Sequence, residues 1–124
     1  MTALTAEVAG DRNVAVGYGS LSAQTNASTV DTYNTAVGYS AGSAVTTGVQ
    51  NTLIGGLAGD AITTASSITA VGYYALSANT EGAGNTAVGA GAMQLNTTAA
   101  GGTALGQSAL SVNTTVTRNT ALGY

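Results

Sequence analysis

The chain carries five carboxylates, Glu7, Asp11, Asp31, Asp60 and Glu81, two guanidinium groups, Arg12 and Arg118, and six phenols, with no His and no Cys. Paired carboxylates are the machinery of glycoside hydrolysis, but these acids recur at no common spacing and no two suggest such a pair. Without His or Cys there are none of the usual ligands of zinc or haem, no disulfide, and no Ser-His or Cys-His nucleophile. Two cations build no track for a phosphate backbone, which excludes nucleic acid as a partner. Gly55-Gly56-Leu57-Ala58-Gly59-Asp60 has the composition of a calcium-binding glycine–aspartate repeat. Its Gly and Asp stand one place out of step and it occurs once, so it reads as a surface turn. Gly17-Tyr18-Gly19 and Gly89-Ala90-Gly91 lack the third Gly and the following helix of a nucleotide loop. Asn26, Asn96 and Asn113 head glycan-acceptor triplets, which a chain this rich in Asn and Thr produces by composition. The sequence therefore predicts no catalytic residue, no metal and no cofactor, and so no enzyme.

Composition defines the elements behind these residues. The 124 residues fit one domain. Charged residues are 6%, far below the roughly 25% of ordinary globular chains, and the net charge is −3. Disordered chains combine low hydrophobicity with high charge, whereas here 44% of residues are hydrophobic. Most of these are Ala and Val, which give little buried area per residue in a compact globule. With 18 Gly and abundant Thr, Ser and Asn, the chain suits a β-rich, turn-rich, uncharged fibre.

Internal repetition decides the architecture. Blocks related to Asn34-Thr35-Ala36-Val37-Gly38-Tyr39 start at 13, 34, 51, 68, 85, 102 and 119. From 34 onward the starts lie 17 residues apart; the first interval is 21, which places four extra residues near Val30-Asp31-Thr32-Tyr33. The fourth column is aliphatic throughout: Val16, Val37, Ile54, Val71, Val88, Leu105, Leu122. The fifth is Gly17, Gly38, Gly55, Gly72, Gly89, Gly106, Gly123. The eighth is Ser20 or Ala, and the thirteenth is always Thr. Residues 1–124 thus form one repetitive segment, with a partial coil over 1–12, repeats from 13, 34, 51, 68, 85 and 102, and a partial coil over 119–124.

An invariant Gly with many Thr and Val in each unit argues against helix. The Asn-Thr-Ala-Val block predicts one short strand. Ala75-Leu76-Ser77-Ala78-Asn79-Thr80, with its alternating Leu76 and Ala78, predicts a second. The column-five Gly turns the chain between them, and Asn, Gly and Ser at the unit boundary supply the other turn. The expected fold is all-β: a parallel β-solenoid or β-roll of 17-residue coils, stacked at ~4.8 Å and rising roughly 30 Å. So thin a core predicts association, an intertwined or packed homotrimer in which one aliphatic column faces the coil interior and another faces neighbouring chains. The ends align as halves of one coil, which reads as a piece of a longer repetitive fibre or, as the alternative, as ends that complete one coil between molecules, head to tail, into a filament. Gly42 and Gly59 replace Leu in column nine while Val45 and Ile62 replace Asn in column twelve, which reads as a compensated change of packing.

Asn34-Thr35-Ala36-Val37-Gly38-Tyr39-Ser40-Ala41, and the run from Ile68 to Thr80, resemble the Asn-Thr-Ala-x-Gly-Tyr-x-Ala-Leu repeats of bacteriophage tail fibres. The Asn-x-Ala-Val-Gly element also resembles the head repeats of trimeric autotransporter adhesins, which are left-handed parallel β-rolls in homotrimers. The resemblance spans Thr2 to Tyr124 and implies a structural or host-recognition segment of a virion tail fibre, without catalysis. The adhesin likeness implies the alternative of an extracellular or cell-surface trimeric filament of bacterial origin. The opening residues show no cationic, apolar signal segment, and no apolar run reaches the length of a membrane helix, so no membrane insertion is expected.

Two further columns bear on binding. Tyr18, Tyr39, Tyr73 and Tyr124 share column six, and exposed rings there would stack on sugars of a host surface; a host glycan or protein is the expected external partner. The alternative is that each ring packs over the adjacent coil. Thr35, Thr52, Thr69, Thr86, Thr103 and Thr120 form a row in column two. Such a row supports strand formation and bonding along the stack, and as a flat Thr face it raises a third reading, an ice-binding solenoid.

Overall fold

The computed structural model describes residues 2–6, 12–25 and 30–124. Glu7, Asp11 and Asn26 lie outside the described residues. Seven three-residue strands recur along the chain: β1 Val14–Val16, β2 Thr35–Val37, β3 Thr52–Ile54, β4 Thr69–Val71, β5 Thr86–Val88, β6 Thr103–Leu105 and β7 Thr120–Leu122. Each begins one residue after a predicted block start. They form one parallel sheet in chain order, and equal columns pair, Thr35 with Thr52, Ala36 with Leu53, Val37 with Ile54. The fold is the expected all-β parallel β-solenoid, one rung per repeat, and no helix occurs among the described residues.

The second predicted strand is not a strand. Columns seven and nine both take the left-handed conformation, at Ser40, Leu57, Tyr74 and Ser108 and at Leu21, Leu76, Met93 and Leu110, with φ between 48° and 58°. A strand needs negative φ at every residue. Overlapping turns replace it: Ala75 N–H donates to the Gly72 carbonyl at 3.3 Å and Asn79 N–H to that of Leu76 at 3.1 Å. The rungs stay bonded to one another even here, as Leu76 N–H donates to Ala92 O at 3.0 Å and Ala78 N–H to Gln94 O at 3.0 Å.

The column-five Gly is explained by close approach. A Cβ placed on Gly38 would stand 2.5 Å from the Gly55 carbonyl oxygen, and φ there is +140°. Both facts exclude a side chain. Of the four residues where the sequence put the excess of the first repeat, Val30 and Asp31 fall in the inserted interval and Thr32 and Tyr33 do not. Thr25 N–H pairs with Thr46 O and Gln50 N–H with Thr32 O, so Thr32 and Tyr33 are already in register and the excess falls between Thr25 and Thr32. Gln24 closes this wider rung from inside, donating to Thr32 Oγ1 at 2.9 Å and accepting from Asn34 Nδ2 at 3.1 Å.

The interior is filled by columns one, three, eight, nine and twelve. Ala36, Leu53, Ala70, Ala87 and Ala104 of column three point inward, over Ala41, Ala58, Ala75 and Ala92 of column eight, all fully buried. Side chains alternate across a strand, so columns two and four face outward. Column-one asparagines link the rungs: Asn34 Oδ1 accepts from Asn51 N–H at 2.9 Å, and Asn51 Oδ1 from Ile68 N–H at 3.0 Å. Their amides donate across the coil, Asn34 to Gly48 O at 2.7 Å and Asn51 to Ala65 O at 3.0 Å. Buried polar groups cost little when paired in this way.

Candidate functional site

The outer face of the sheet is a ladder of Thr beside a ladder of aliphatic side chains. Strand propensity builds it, since β-branched residues suit a pleated surface, and the inward column three of the strands holds only Ala and, once, Leu53. Column four is consequently external. Val16 is 56% and Ile54 39% exposed; Val88, Leu105 and Leu122 are exposed, and Val37 and Val71 half-buried. The column-two threonines from Thr35 to Thr103 are half-buried beside them. Column thirteen behaves differently: Thr46 Oγ1 donates to Thr63 O at 3.1 Å, and Thr63, Thr80 and Thr97 repeat the contact.

The column-six tyrosines stand just past the Gly corner. Tyr18, Tyr39 and Tyr73 are 56–60% exposed and Tyr124 is 96% exposed. Tyr18 and Tyr39, on successive rungs, stack at 5.6 Å between centroids with 10° between planes. Tyr18 and Tyr39 thus pack on each other across one rung and remain open to solvent. The next rung has Gly56 in the same place. A Cβ there would stand 3.3 Å from Cδ2 of Tyr73, so that ring leans over the Gly56 backbone. Tyr74 meets Tyr73 edge-on at 4.3 Å and 70°. Hydrogen bonding to Tyr73 and the negative fields of Tyr73 and Asp60 push the Tyr74 phenol above its ordinary range.

Of the described carboxylates, Asp31 pairs with Arg12, whose Nη1 also donates to Tyr33 Oη at 2.6 Å while its guanidinium lies 5.4 Å over the Tyr33 ring. Asp60 occupies column ten, where other rungs carry Ser or Gln. Its Oδ1 is buried without a hydrogen-bond partner, and burial raises its pKa, partly offset by a backbone hydrogen bond. Glu81 is exposed. Among the described residues, no three His, Cys, Asp or Glu side chains gather as a metal site. Asn96 of the second glycan-acceptor triplet is fully buried and donates to Asn79 Oδ1 at 2.7 Å, so it is closed to modification. A shallow hollow of about 260 Å³ is lined by Ala100, Gly101, Thr117 and Arg118.

The sequence singled out the tyrosine column and column four, and both face solvent. It missed the gap at Gly56; the signal was present, because Gly56, Ala90 and Gln107 interrupt column six. No protein-family model, curated protein or solved structure matches the chain. No helix among the described residues is long and apolar enough to cross a membrane.

Proposed function

We propose that this chain is a non-catalytic segment of a host-recognition fibre of the bacteriophage tail type, assembled as a parallel homotrimer. The observation that carries the reading is the aliphatic column on the outer sheet face, continuous from Val16 through Val37, Ile54, Val71, Val88 and Leu105 to Leu122. Contiguous apolar surface of this kind marks an interface. Three such faces meeting on a common axis bury all three columns and leave each tyrosine column beside the seam. Rung-to-rung hydrogen bonding on both sides of the coil then gives a stiff rod that holds recognition surfaces away from the particle. The sequence resemblance to tail-fibre repeats supports the virion setting, and the adhesin-like setting on a bacterial surface uses the same assembly.

Light scattering tests it: the expected mass is three times 11.9 kDa. Val88→Asp puts a charge on the column and is expected to give single chains that keep the β-rich circular dichroism. A wild-type mass of one chain at micromolar concentration overturns the trimer. One observation favours a second reading: the Thr and aliphatic columns run side by side in register on the outer face. Thermal hysteresis by the wild-type protein would assign that face to ice instead of to neighbouring chains.

A further inference from the structure

We propose that the gap in the tyrosine column at Gly56 is a saccharide slot, in which a neutral pyranose ring inserts between the rings of Tyr39 and Tyr73. The inference rests on the host-recognition reading and gives it a ligand class and a place. Rungs repeat at ~4.8 Å, and Tyr18 and Tyr39 stack across one such step at 5.6 Å. Gly56 gives the following step no ring of its own, and Tyr73, one rung later, leans its ring back over it. The Tyr39 and Tyr73 backbones are thus two rungs, about 9.6 Å, apart. Stacked ring centroids sit about 4.5–7 Å apart, so two rungs hold one guest ring with a tyrosine on either side.

In the free protein Tyr73 leans into this space, with Tyr74 edge-on against it. An entering ring returns Tyr73 towards its own rung and replaces contact with the Gly56 backbone by stacking. A pyranose has the matching chemistry. Its C–H face lies on a phenol ring, and its hydroxyl rim stays in water, because both tyrosines are more than half exposed. The local charge selects a neutral sugar. Asp60 stands four residues after Gly56 on the same rung, while both arginines belong to column seventeen, at the rung boundary. An anionic sugar meets a carboxylate here and no counter-charge.

The test uses tyrosine fluorescence, which no Trp obscures. The probes are neutral hexasaccharides of glucose, galactose or N-acetylglucosamine, with a sialylated oligosaccharide as comparator. At least one neutral probe is expected to give saturable quenching that the sialylated one does not. Gly56→Tyr fills the slot and completes the stack, and Tyr39→Ala removes a wall; each is expected to weaken binding about tenfold, the upper range for one stacking contact. Absence of saturable binding to all three neutral probes overturns the slot, as does wild-type affinity in Gly56→Tyr that retains the wild-type mass and circular dichroism. Should that variant misfold, Tyr39→Ala and Tyr73→Ala decide, because both truncate exposed rings. A threefold mass without binding removes the slot and leaves the fibre reading standing. A single-chain mass with binding does the reverse.

Discussion

The two rungs starting at Asn34 and Asn51 and the three starting at Ile68, Asn85 and Gly102 share one backbone and fill it differently. In the later rungs, column nine holds Leu76, Met93 and Leu110, and column twelve holds Asn79, Asn96 and Asn113. The asparagines form an internal ladder: Asn96 Nδ2 donates to Asn79 Oδ1 at 2.7 Å, and Asn79 Nδ2 to Gly82 O at 3.0 Å. In the earlier rungs the ladder gives way to Val45 and Ile62 and column nine becomes Gly42 and Gly59; in the Asn51 rung alone, Leu53 also replaces the Ala of column three. A Cβ on Gly42 would stand 2.6 Å from Leu53 Cδ1, and one on Gly59 2.6 Å from Ile62 Cδ1. Leu53 reaches both glycines, so the volume removed at column nine of the two rungs is refilled by Leu53, Val45 and Ile62 together. The lesson is that a rung conserves interior volume, not residue type, since close-packed interiors tolerate relocation better than net change.

The sharpest way to break this equivalence is to remove the relocated volume. Leu53→Ala restores the column-three residue of other rungs but removes the side chain that reaches both Gly42 and Gly59, leaving a cavity between them. The expected loss is about 2–5 kcal/mol, the range for buried Leu→Ala, measured by denaturant unfolding. The same change has no counterpart in the later rungs, where column three is already Ala. A smaller effect comes from adding volume without removing it. Gly42→Leu gives the earlier rung the column-nine residue of the later ones and collides with Leu53, at about 1–3 kcal/mol. Adding Val45→Asn gives the Asn34 rung, whose column three is already Ala36, the filling of the later type, and Leu53→Ala on the next rung removes the collision; the triple variant is expected to recover most of the loss from Gly42→Leu. Additive losses in the triple variant would show that the two fillings are not interchangeable.

Much of this was legible in the repeat. The 17-residue spacing, the Gly column and the small eighth column predicted the stacked rungs, and the paired exchange at Gly42/Val45 and Gly59/Ile62 predicted the swap. Two features were not. Alternation at Leu76-Ser77-Ala78 matches a strand, and nothing in a Leu or a Tyr announces a left-handed φ; the rung-to-rung hydrogen bonds impose it at Leu76 and Tyr74 against local preference. Nor does Thr-Ala-Val say which side is inner, because hydrophobicity favours burying Val. The narrow coil overrides that preference by admitting the small Ala and sending Val outward. For the candidate site, the tyrosines were visible as a column, but the gap at Gly56 acquires meaning only with the rung spacing.

The later rungs are breakable through their ladder, more gently. Asn79→Val imports the apolar residue of column twelve without opening column nine. It removes an acceptor from Asn96 and a donor from Gly82, yet Asn96 Nδ2 still reaches Ala99 O at 3.1 Å and Asn85 Nδ2 still reaches Gly82 O at 3.1 Å. The cost is therefore held to about 1–2 kcal/mol for the lost bonds. Hydrogen exchange at the amides of the two flanking rungs should rise while the Asn34 and Asn51 rungs stay protected. Equal loss of protection in all rungs would mean that the two regions unfold as one unit.

The smallest effect concerns the single carboxylate on an earlier rung. Asp60 has a buried, unpartnered Oδ1 and a pKa raised by burial. A carboxyl whose folded pKa exceeds its unfolded value binds its proton more tightly when folded. Its neutral form therefore supports the fold below the unfolded value of 3.8, and that support is lost as pH rises through the raised folded pKa. At pH 7 the ionised group is a burden. Asp60→Ser installs the residue found in column ten at Ser22, Ser43, Ser77 and Ser111, and is expected to raise the melting temperature slightly at pH 7. The gain should shrink on acidification and vanish near the unfolded value. A gain constant from pH 7 to pH 3 would place the benefit in packing instead of charge. The earlier rungs would then differ from the later ones by volume alone.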